Sequence, residues 1–437
     1  MNPGRAIFWI AVYLGLVLAP LFALLLGGSD VSDGFWWNLA IAFGFAGTAM
    51  MGVQFMLTAR FKRAMAPFGI DIIYYFHRHI ATVALVLILA HPVILIADSP
   101  EVLGFLNPIH APWHMTAGVA SVVLLLVLIV TSWWRKAMGL SYDGWRHWHG
   151  MLAVAALVLA LAHIGGAGRY AGTWWKQSLW AAIGVSCLGV IIYVRLLRPW
   201  WLLRHPYQVV EVRPERGDAW TVAVEPRGHG GFRHRPGQFA WLTLRDSPFA
   251  MREHPFSISS APTDSGRLEF TIKELGDFTA TIGNTRPGET AYVDGPYGAF
   301  IYERHAAPGY VFIGGGVGIA PLMGMLRSLA DRSDARPVML FYAYRRWERM
   351  TFREEIESLK SRLKLTVVHV LEEPPEPWDG ETGRIDAALL DRYLPDNRRQ
   401  LHYFICGPEA MTHAVERSLH DLGIPLSHLH TELFDLA

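Results

Sequence analysis

Two kinds of hydrophobic pattern divide the chain, and the change falls near Arg204. Upstream, apolar residues run on for lengths that suit a bilayer, which takes roughly 20 helical residues to cross. Six such stretches are predicted as spanning helices, near Ala6–Leu26, Phe35–Ala59, Asp71–Ala97, His114–Trp134, His149–Gly165 and Gln177–Val194. The first is long for the apolar core of a signal peptide and five more follow, so it reads as a mature helix. Downstream, short alternating segments predict strands at Tyr207–Val212, Trp220–Val224, Phe239–Leu244 and Leu268–Ile272, separated by Gly- and Pro-rich turns. That pattern is a small antiparallel β-barrel. After about Glu303, apolar strands (Tyr310–Ile313, Val338–Ala343, Leu365–Val370, His402–Cys406) alternate with helical segments such as Pro321–Asp331 and Phe352–Arg362. Alternation of that kind gives a doubly wound parallel α/β sheet. The predicted fold is therefore multi-domain: a six-helix transmembrane bundle at 1–203, a β-barrel at 204–303 and a Rossmann-like α/β domain at 304–437.

Charge sharpens this division. Of 39 basic and 38 acidic residues in 437, only 12 basic and 6 acidic ones lie in the first 200. Disorder and a single uniform globular domain are excluded. A net charge of +1 gives no nucleic-acid signal, and two cysteines cannot build a disulfide framework. Arg60, Lys62 and Arg63, then Arg135, Lys136 and Arg146, then Arg195, Arg198 and Arg204 fall on one side of the predicted helices. Asp30, Asp33, Asp98 and Glu101 fall on the other, where Arg169 and Lys176 break the pattern. The positive-inside rule then puts both termini and the downstream domains in the cytoplasm of a multi-pass membrane protein, with a bacterial inner membrane as the expected setting.

Histidine is the unusual residue of the apolar half. His77 and His91 are 14 residues apart in the third stretch, and His149 and His163 are 14 apart in the fifth. Fourteen residues bring a helix to within about 40° of four full turns and advance it about 21 Å, so each pair shares one face. The two helices run the same way, because one helix lies between them. His77 is then expected to face His149 near the cytoplasm, and His91 to face His163 near the far side. Two imidazoles at opposite axial positions between membrane helices suit haem iron, which gives an inner and an outer b-type haem. His79 and His147 fail this test on helical phase.

Two further groups of residues carry candidate chemistry. His254-Pro255-Phe256-Ser257 offers backbone amides and a small hydroxyl to the edge of a flat heteroaromatic ring, and Lys273, Gly276 and Thr279 suit a diphosphate. Arg235–Phe239 precedes them and Asp294–Gly298 follows; on its own the latter reads as a hairpin turn. Gly314, Gly315, Gly316 and Gly318 lie between a strand and a helix start, where backbone approaches a pyrophosphate. Arg345 and Arg346 follow the next strand, where a 2′-phosphate would be read; arginines there could equally face solvent. Cys406-Gly407-Pro408 ends a later strand at the same sheet edge, with Cys406 a packing and positioning group.

Together these features resemble the NADPH oxidase and ferric reductase family of transmembrane flavocytochromes. The doubled histidine spacing, Arg78 after His77, and the His-Pro-Phe-Ser, Gly-Gly-Gly-Val-Gly and Cys-Gly-Pro segments carry the likeness. The resemblance implies a ferredoxin-NADP reductase-like pair of FAD- and nicotinamide-binding domains. It also implies a path from NADPH, or NADH, through FAD and two haems to an acceptor across the membrane. By that likeness Ser257 sits by the flavin ring, His254, Lys273 and Thr279 lie near the FAD phosphates, and Phe434 covers the flavin face. Three residues follow Phe434, whereas animal oxidases tend to end there. Animal superoxide-forming members also carry another histidine one turn after the outer ligand, where this chain has Leu95, and neither spacer between the paired histidines holds the aromatic found in some members. Ferric chelates and oxygen are the expected small acceptors. The rival readings are a haem-free membrane-tethered flavin reductase, an electron-transfer subunit for a separate periplasmic partner, and a nucleotide-regulated proton or ion carrier.

Overall fold

The computed structural model describes residues 3–25, 34–61, 70–168 and 170–433, and the chain divides between Arg198 and Pro199 into two compact units. The upstream unit is helical. Helix α1 covers Pro3–Leu25, α2 Phe35–Thr58, α3 Ile70–Asp98, α4 Trp113–Trp133 and α5 Tyr142–Ala167. The last helix, α6, runs over Trp174–Leu203 through one wide turn at Tyr193–Leu197. Five of these, α2 to α6, are long and apolar enough to cross a membrane; the apolar stretch described in α1, Ile7–Phe22, is shorter. The sequence predicts six spans, and among the described residues five reach spanning length. Even the shortest of the five, α4 with 21 residues, is about 31 Å long at about 1.5 Å per residue.

Packing inside the bundle is organised around α2. Its run Ala46–Gln54 is buried throughout, and its small residues let neighbours approach closely. Met51 of α2, Leu125 of α4, Ala156 and Leu157 of α5 and Cys187 of α6 form one buried apolar cluster. By contrast Val86, Val93, Val130, Val158 and Val185 point outward, 42–69% exposed. Outward valines on helices this apolar suit lipid, not water. Helix α5 starts seven residues before the predicted His149, because Tyr142–Trp148 mixes aromatic and charged residues: a hydropathy reading stops there, whereas helical backbone continues.

The downstream unit holds two six-stranded sheets. Strands β1 (Tyr207–Glu215), β2 (Ala219–Pro226), β3 (Phe239–Leu244), β4 (His254–Ser257), β5 (Leu268–Lys273) and β6 (Thr290–Tyr297) pair antiparallel in the order β4-β3-β6-β1-β2-β5. An Ile258–Phe270 bridge links the chain leaving β4 to β5 and nearly closes the sheet on itself. Inward residues Val222, Val224, Leu242, Phe270, Ile272 and Val293 fill its core. Strands β4 and β6 are additions to the sequence reading. The Asp294–Gly298 segment, which alone reads as a hairpin turn, runs out of β6 as strand.

The second sheet is parallel. It comprises β7 (Tyr310–Gly315), β8 (Val338–Tyr344), β9 (Leu365–Leu371), β10 (Glu381–Thr382), β11 (His402–Gly407) and β12 (Leu429–Leu433), in the order β10-β9-β8-β7-β11-β12. Helix α7 (Ile319–Asp331) packs Leu322 and Leu326 on one face, with α8 (Arg353–Leu359) beside it. Helices α9 (Ala387–Tyr393) and α10 (Glu409–Asp421) pack Leu390, Val415 and Leu419 on the other. Strand order reverses between β7 and β11, and the crevice beyond their carboxyl ends is where such sheets take ligands.

Candidate functional site

The bundle brings the four predicted histidines together in two pairs. The rings of His77 and His149 are 6.2 Å apart between centroids, and those of His91 and His163 are 6.3 Å apart. Because both pairs form in the same order, α3 and α5 lie side by side and run in the same direction. A metal–imidazole bond is about 2.0–2.1 Å, and a ring nitrogen lies about 1.1 Å from its centroid. Two imidazoles on opposite sides of one ion therefore stand about 6.3 Å apart, which is the separation observed in both pairs. His79 is outside both, bonded through Nδ1 to the Tyr75 carbonyl of its own helix.

All four rings are held through Nδ1. His91 Nδ1 is 2.9 Å from the Ala40 carbonyl and His163 Nδ1 is 2.9 Å from the His114 carbonyl. A carbonyl only accepts, so Nδ1 carries the proton in both and Nε2 keeps its lone pair for a ligand position. His77 Nδ1 lies 2.8 Å from Gln54 Oε1 in the same sense, and His149 Nδ1 lies 3.2 Å from Ser132 Oγ. Sequence reasoning missed Gln54 and Ser132. An amide inside the apolar run of α2 was the available signal for the first. It also missed Gly44 and Gly118. A Cβ on Gly44 meets the His91 ring at 3.2 Å, and one on Gly118 comes 2.8 Å from His163 Nδ1.

In the antiparallel sheet, β4 pairs with β3 through Phe239–Ser257 and Leu242–His254, at the end of the strand order. Ser257 is 4% exposed, and its hydroxyl has no hydrogen-bond partner among the described residues. An orphaned buried hydroxyl costs about 1–3 kcal/mol, so this side chain fits a polar ring edge better than it fits an empty crevice. The His254 ring stacks on Phe278 at 4.0 Å, with Pro255 and Phe256 continuing the strand. Lys273 ends β5, its ammonium 5.8 Å from the Tyr344 ring. The Thr279 hydroxyl accepts hydrogen bonds from the Leu275 and Gly276 amides, each 2.9 Å away, and so shapes the turn that the sequence assigns to a diphosphate. Phe434 lies outside the described residues.

At the parallel-sheet crevice, Gly314 and Gly315 end β7, Gly316 has φ +56°, and Gly318 precedes α7. A Cβ on Gly318 would overlap the Cys406 carbonyl and lie 2.8 Å from Gly407 Cα. The glycine turn and Cys406-Gly407-Pro408 are therefore in contact, as the sequence placed them. No acidic residue stands in the first turn of α7, which leaves the helix start favourable to a phosphate. Cys406 is fully buried, and burial, then the Glu432 carboxylate, push its thiol well above the ordinary range. It packs in the buried core of the parallel sheet. Iodoacetamide at pH 8 is expected to leave Cys406 unlabelled in the folded protein, as peptide mapping checks; rapid labelling would contradict the burial.

Arg345 follows β8, and its Nε donates to Glu373 Oε1 at 2.7 Å, while Arg346 Nε donates to Glu373 Oε2 at 2.7 Å. Glu373, also missed from the sequence, is thus held between two guanidinium groups. Its carboxyl sits below the usual range because of Arg346 first and Arg345 second.

Three families of known proteins align with these regions. Residues 43–160 match the ferric reductase like transmembrane component, 217–300 an FAD-binding domain and 312–417 the oxidoreductase NAD-binding domain. This order of domains matches the architecture of ferric reductase and NADPH oxidase-like flavocytochromes. It is a multi-pass membrane protein and an NAD(P)H- and FAD-dependent oxidoreductase.

Curated relatives resemble part of this flavocytochrome-like chain. It is 30% identical over 240 residues to the stachydrine N-demethylase reductase subunit Stc4 of Rhizobium meliloti, covering 54% of this chain and 67% of that one. It is 30% identical over 243 residues to the glycine betaine monooxygenase reductase subunit of Chromohalobacter salexigens, covering 54% and 65%. The chain thus spans about two thirds of the length of these relatives. A solved structure, the ferredoxin reductase in carbazole 1,9a-dioxygenase, matches at a TM-score of 0.47 and 25% identity, over 53% of this chain and 69% of that one.

Proposed function

We propose that the protein passes electrons from cytoplasmic NAD(P)H through FAD and two b-type haems to an acceptor on the opposite face of the membrane, a ferric chelate or oxygen. The observation that carries this reading is the doubled histidine pair, with both ring separations at the value for two axial imidazoles and Nδ1 engaged in every ring. A metal-free hydrogen-bonding role accounts for the use of Nδ1 but not for the repeated separation. In this reading His77 and His149 hold the inner haem, and His91 and His163 the outer one. Residues 1–203 form the membrane domain, 204–303 the FAD domain and 304–437 the nicotinamide domain, with both termini cytoplasmic.

When bound, the flavin supplies conversion between a two-electron hydride donor and one-electron acceptors. The chain's own part is to bind and orient. The β4 edge and Ser257 take the flavin ring; Gly276 and Thr279 shape the turn at its diphosphate, and Lys273 adds a positive charge. Gly314, Gly315, Gly316 and Gly318 admit the nicotinamide pyrophosphate against α7. No general base is required, because hydride moves between cofactors.

The purified protein is expected to show a b-type reduced-minus-oxidised spectrum with two haems per chain. In vesicles of known orientation, NADPH added on the face that exposes the soluble domains should reduce an impermeant ferric chelate trapped inside. Reduction confined to the NADPH side would favour the haem-free, membrane-tethered reductase. A second reading, delivery to a separate protein partner, draws support from the relatives named as reductase subunits of multi-component enzymes.

For nucleotide choice, Arg345→Ala is expected to raise KM for NADPH about 10-fold or more, the worth of a hydrogen bond to a charged group, while KM for NADH moves little. Glu373→Gln should act in the opposite direction and lower KM for NADPH, because it releases both arginines from their carboxylate. Steady-state kinetics with both nucleotides checks the pair. Equal effects on NADH and NADPH would assign these residues to packing.

A further inference from the structure

His305, His402 and His430 converge at the end of the parallel sheet remote from the nucleotide crevice. Their ligand nitrogens all lie within 4.8 Å of one another. His402 begins β11 and His430 lies in β12, two strands paired in register Tyr403–Leu429 and Phe404–His430. His305 arrives from the turn before β7. His402 Nδ1 is 2.9 Å from His430 Nε2, and the His305 ring lies 3.9 Å from that of His430. A fourth imidazole, His428, stacks on His402 at 4.3 Å, and its Nδ1 is buried with no hydrogen-bond partner among the described residues.

We propose that His305, His402 and His430 form a binding site for a divalent transition metal of the zinc or copper class. Imidazole donors select that class over magnesium or calcium, which prefer oxygen. Geometry supports the assignment. Around a tetrahedral ion with bonds of about 2.0–2.1 Å, ligand nitrogens stand about 3.4 Å apart. The His402–His430 separation of 2.9 Å is shorter than that value and all separations stay within 4.8 Å, so small rotations of side chains that are only half-buried complete the set. No acidic side chain belongs to the trio. The 2.9 Å contact between His402 and His430 is a hydrogen bond that a metal would replace, and the buried His428 Nδ1 beside it has no partner among the described residues, which stacking alone does not explain.

The location defines what the metal does. The strands of this sheet advance about 3.3 Å per residue, so the six residues of β11 hold the histidines about 17 Å from the Cys406-Gly407 end. A bound ion therefore takes no part in hydride transfer. It ties β11, β12 and the turn before β7 together and acts as a clamp on the edge of the sheet. The site is independent of the haem assignment.

The test uses the full-length protein in detergent, stripped with chelator. Zn²⁺ titration followed by elemental analysis should show one equivalent per chain that is absent from His402→Gln/His430→Gln. Its affinity in the single variants should fall more than about a hundredfold, beyond the range for outer-shell changes. His413→Gln, exposed on α10, is the control and should retain it. Cu²⁺ added to wild-type protein should give an electron paramagnetic resonance spectrum split by three imidazole nitrogens, which keeps the test decisive if the double variant does not fold. Unchanged Zn²⁺ binding in a folded, flavin-loaded double variant, or a copper spectrum with fewer than three nitrogens, would overturn the proposal.

Discussion

His91→Ala is expected to leave NADPH-driven flavin reduction intact and to lower electron delivery across the membrane by more than about 100-fold. The asymmetry follows from the division of the chain. His91 belongs to the helical unit, whereas the FAD and nicotinamide segments belong to the other, each with its own core. Removing the ring deletes one of two imidazoles at the outer pair and leaves His163 facing a gap where the 6.3 Å partner stood. It also removes the 2.9 Å hydrogen bond to the Ala40 carbonyl, worth about 0.5–1.5 kcal/mol net. Haem content by the pyridine haemochrome method should fall from two to one per chain. His163→Ala should do the same, and the double variant should do no more, because both residues serve one site. Dye reduction by NADPH, which needs only the soluble segments, should stay near the wild-type rate. Two haems retained in both single variants would show that the outer pair does not hold iron.

The sequence carried the histidine ladder because helical phase is a property of spacing. Fourteen residues fix a shared face whatever the neighbours are, and parallel direction follows from counting helices. The glycine turn at Gly314–Gly318 and the Cys406-Gly407-Pro408 edge were legible for a similar reason: strand alternation places both at one end of a parallel sheet. What spacing does not encode is lateral packing. Gln54 and Ser132 reach the rings from α2 and α4, and the Ala40 and His114 carbonyls from two further positions, with no periodic signature between donor and acceptor. Glu373 comes from beyond the next strand to meet Arg345 and Arg346. Strand β4 escaped because four residues beginning His-Pro do not alternate; it is the pairing with β3 that makes them a strand. The start of α5 was misplaced because hydropathy marks where lipid begins, not where helical hydrogen bonding begins.

The glycines beside the histidines yield the second large effect. Gly118→Ala is expected to displace the outer haem or convert it to a high-spin form, whereas Gly44→Ala should shift its properties only mildly. A single added methyl distinguishes them. At Gly118 the new Cβ would lie 2.8 Å from His163 Nδ1 and 3.0 Å from its Cγ, in the space where that nitrogen donates to the His114 carbonyl. At Gly44 the closest approach to the His91 ring is 3.2 Å, which a shift of a few tenths of an ångström relieves. Helix propensity acts against both losses, since Gly→Ala in a helix interior favours the helix by about 0.8–1.0 kcal/mol. Any fall in haem content must therefore come from the ring. Gly189→Ala supplies the comparison, because nothing lies within 4 Å of its added methyl. It shares the propensity gain and should leave both haems unchanged. Low-spin absorbance, haem per chain and the two midpoint potentials, read across the three variants, order the effects as Gly118, then Gly44, then Gly189. If Gly118→Ala matched Gly189→Ala in all three readings, the His163 ring would not be fixed by this contact. The agreement between its 6.3 Å separation and axial ligation would then lose its structural basis.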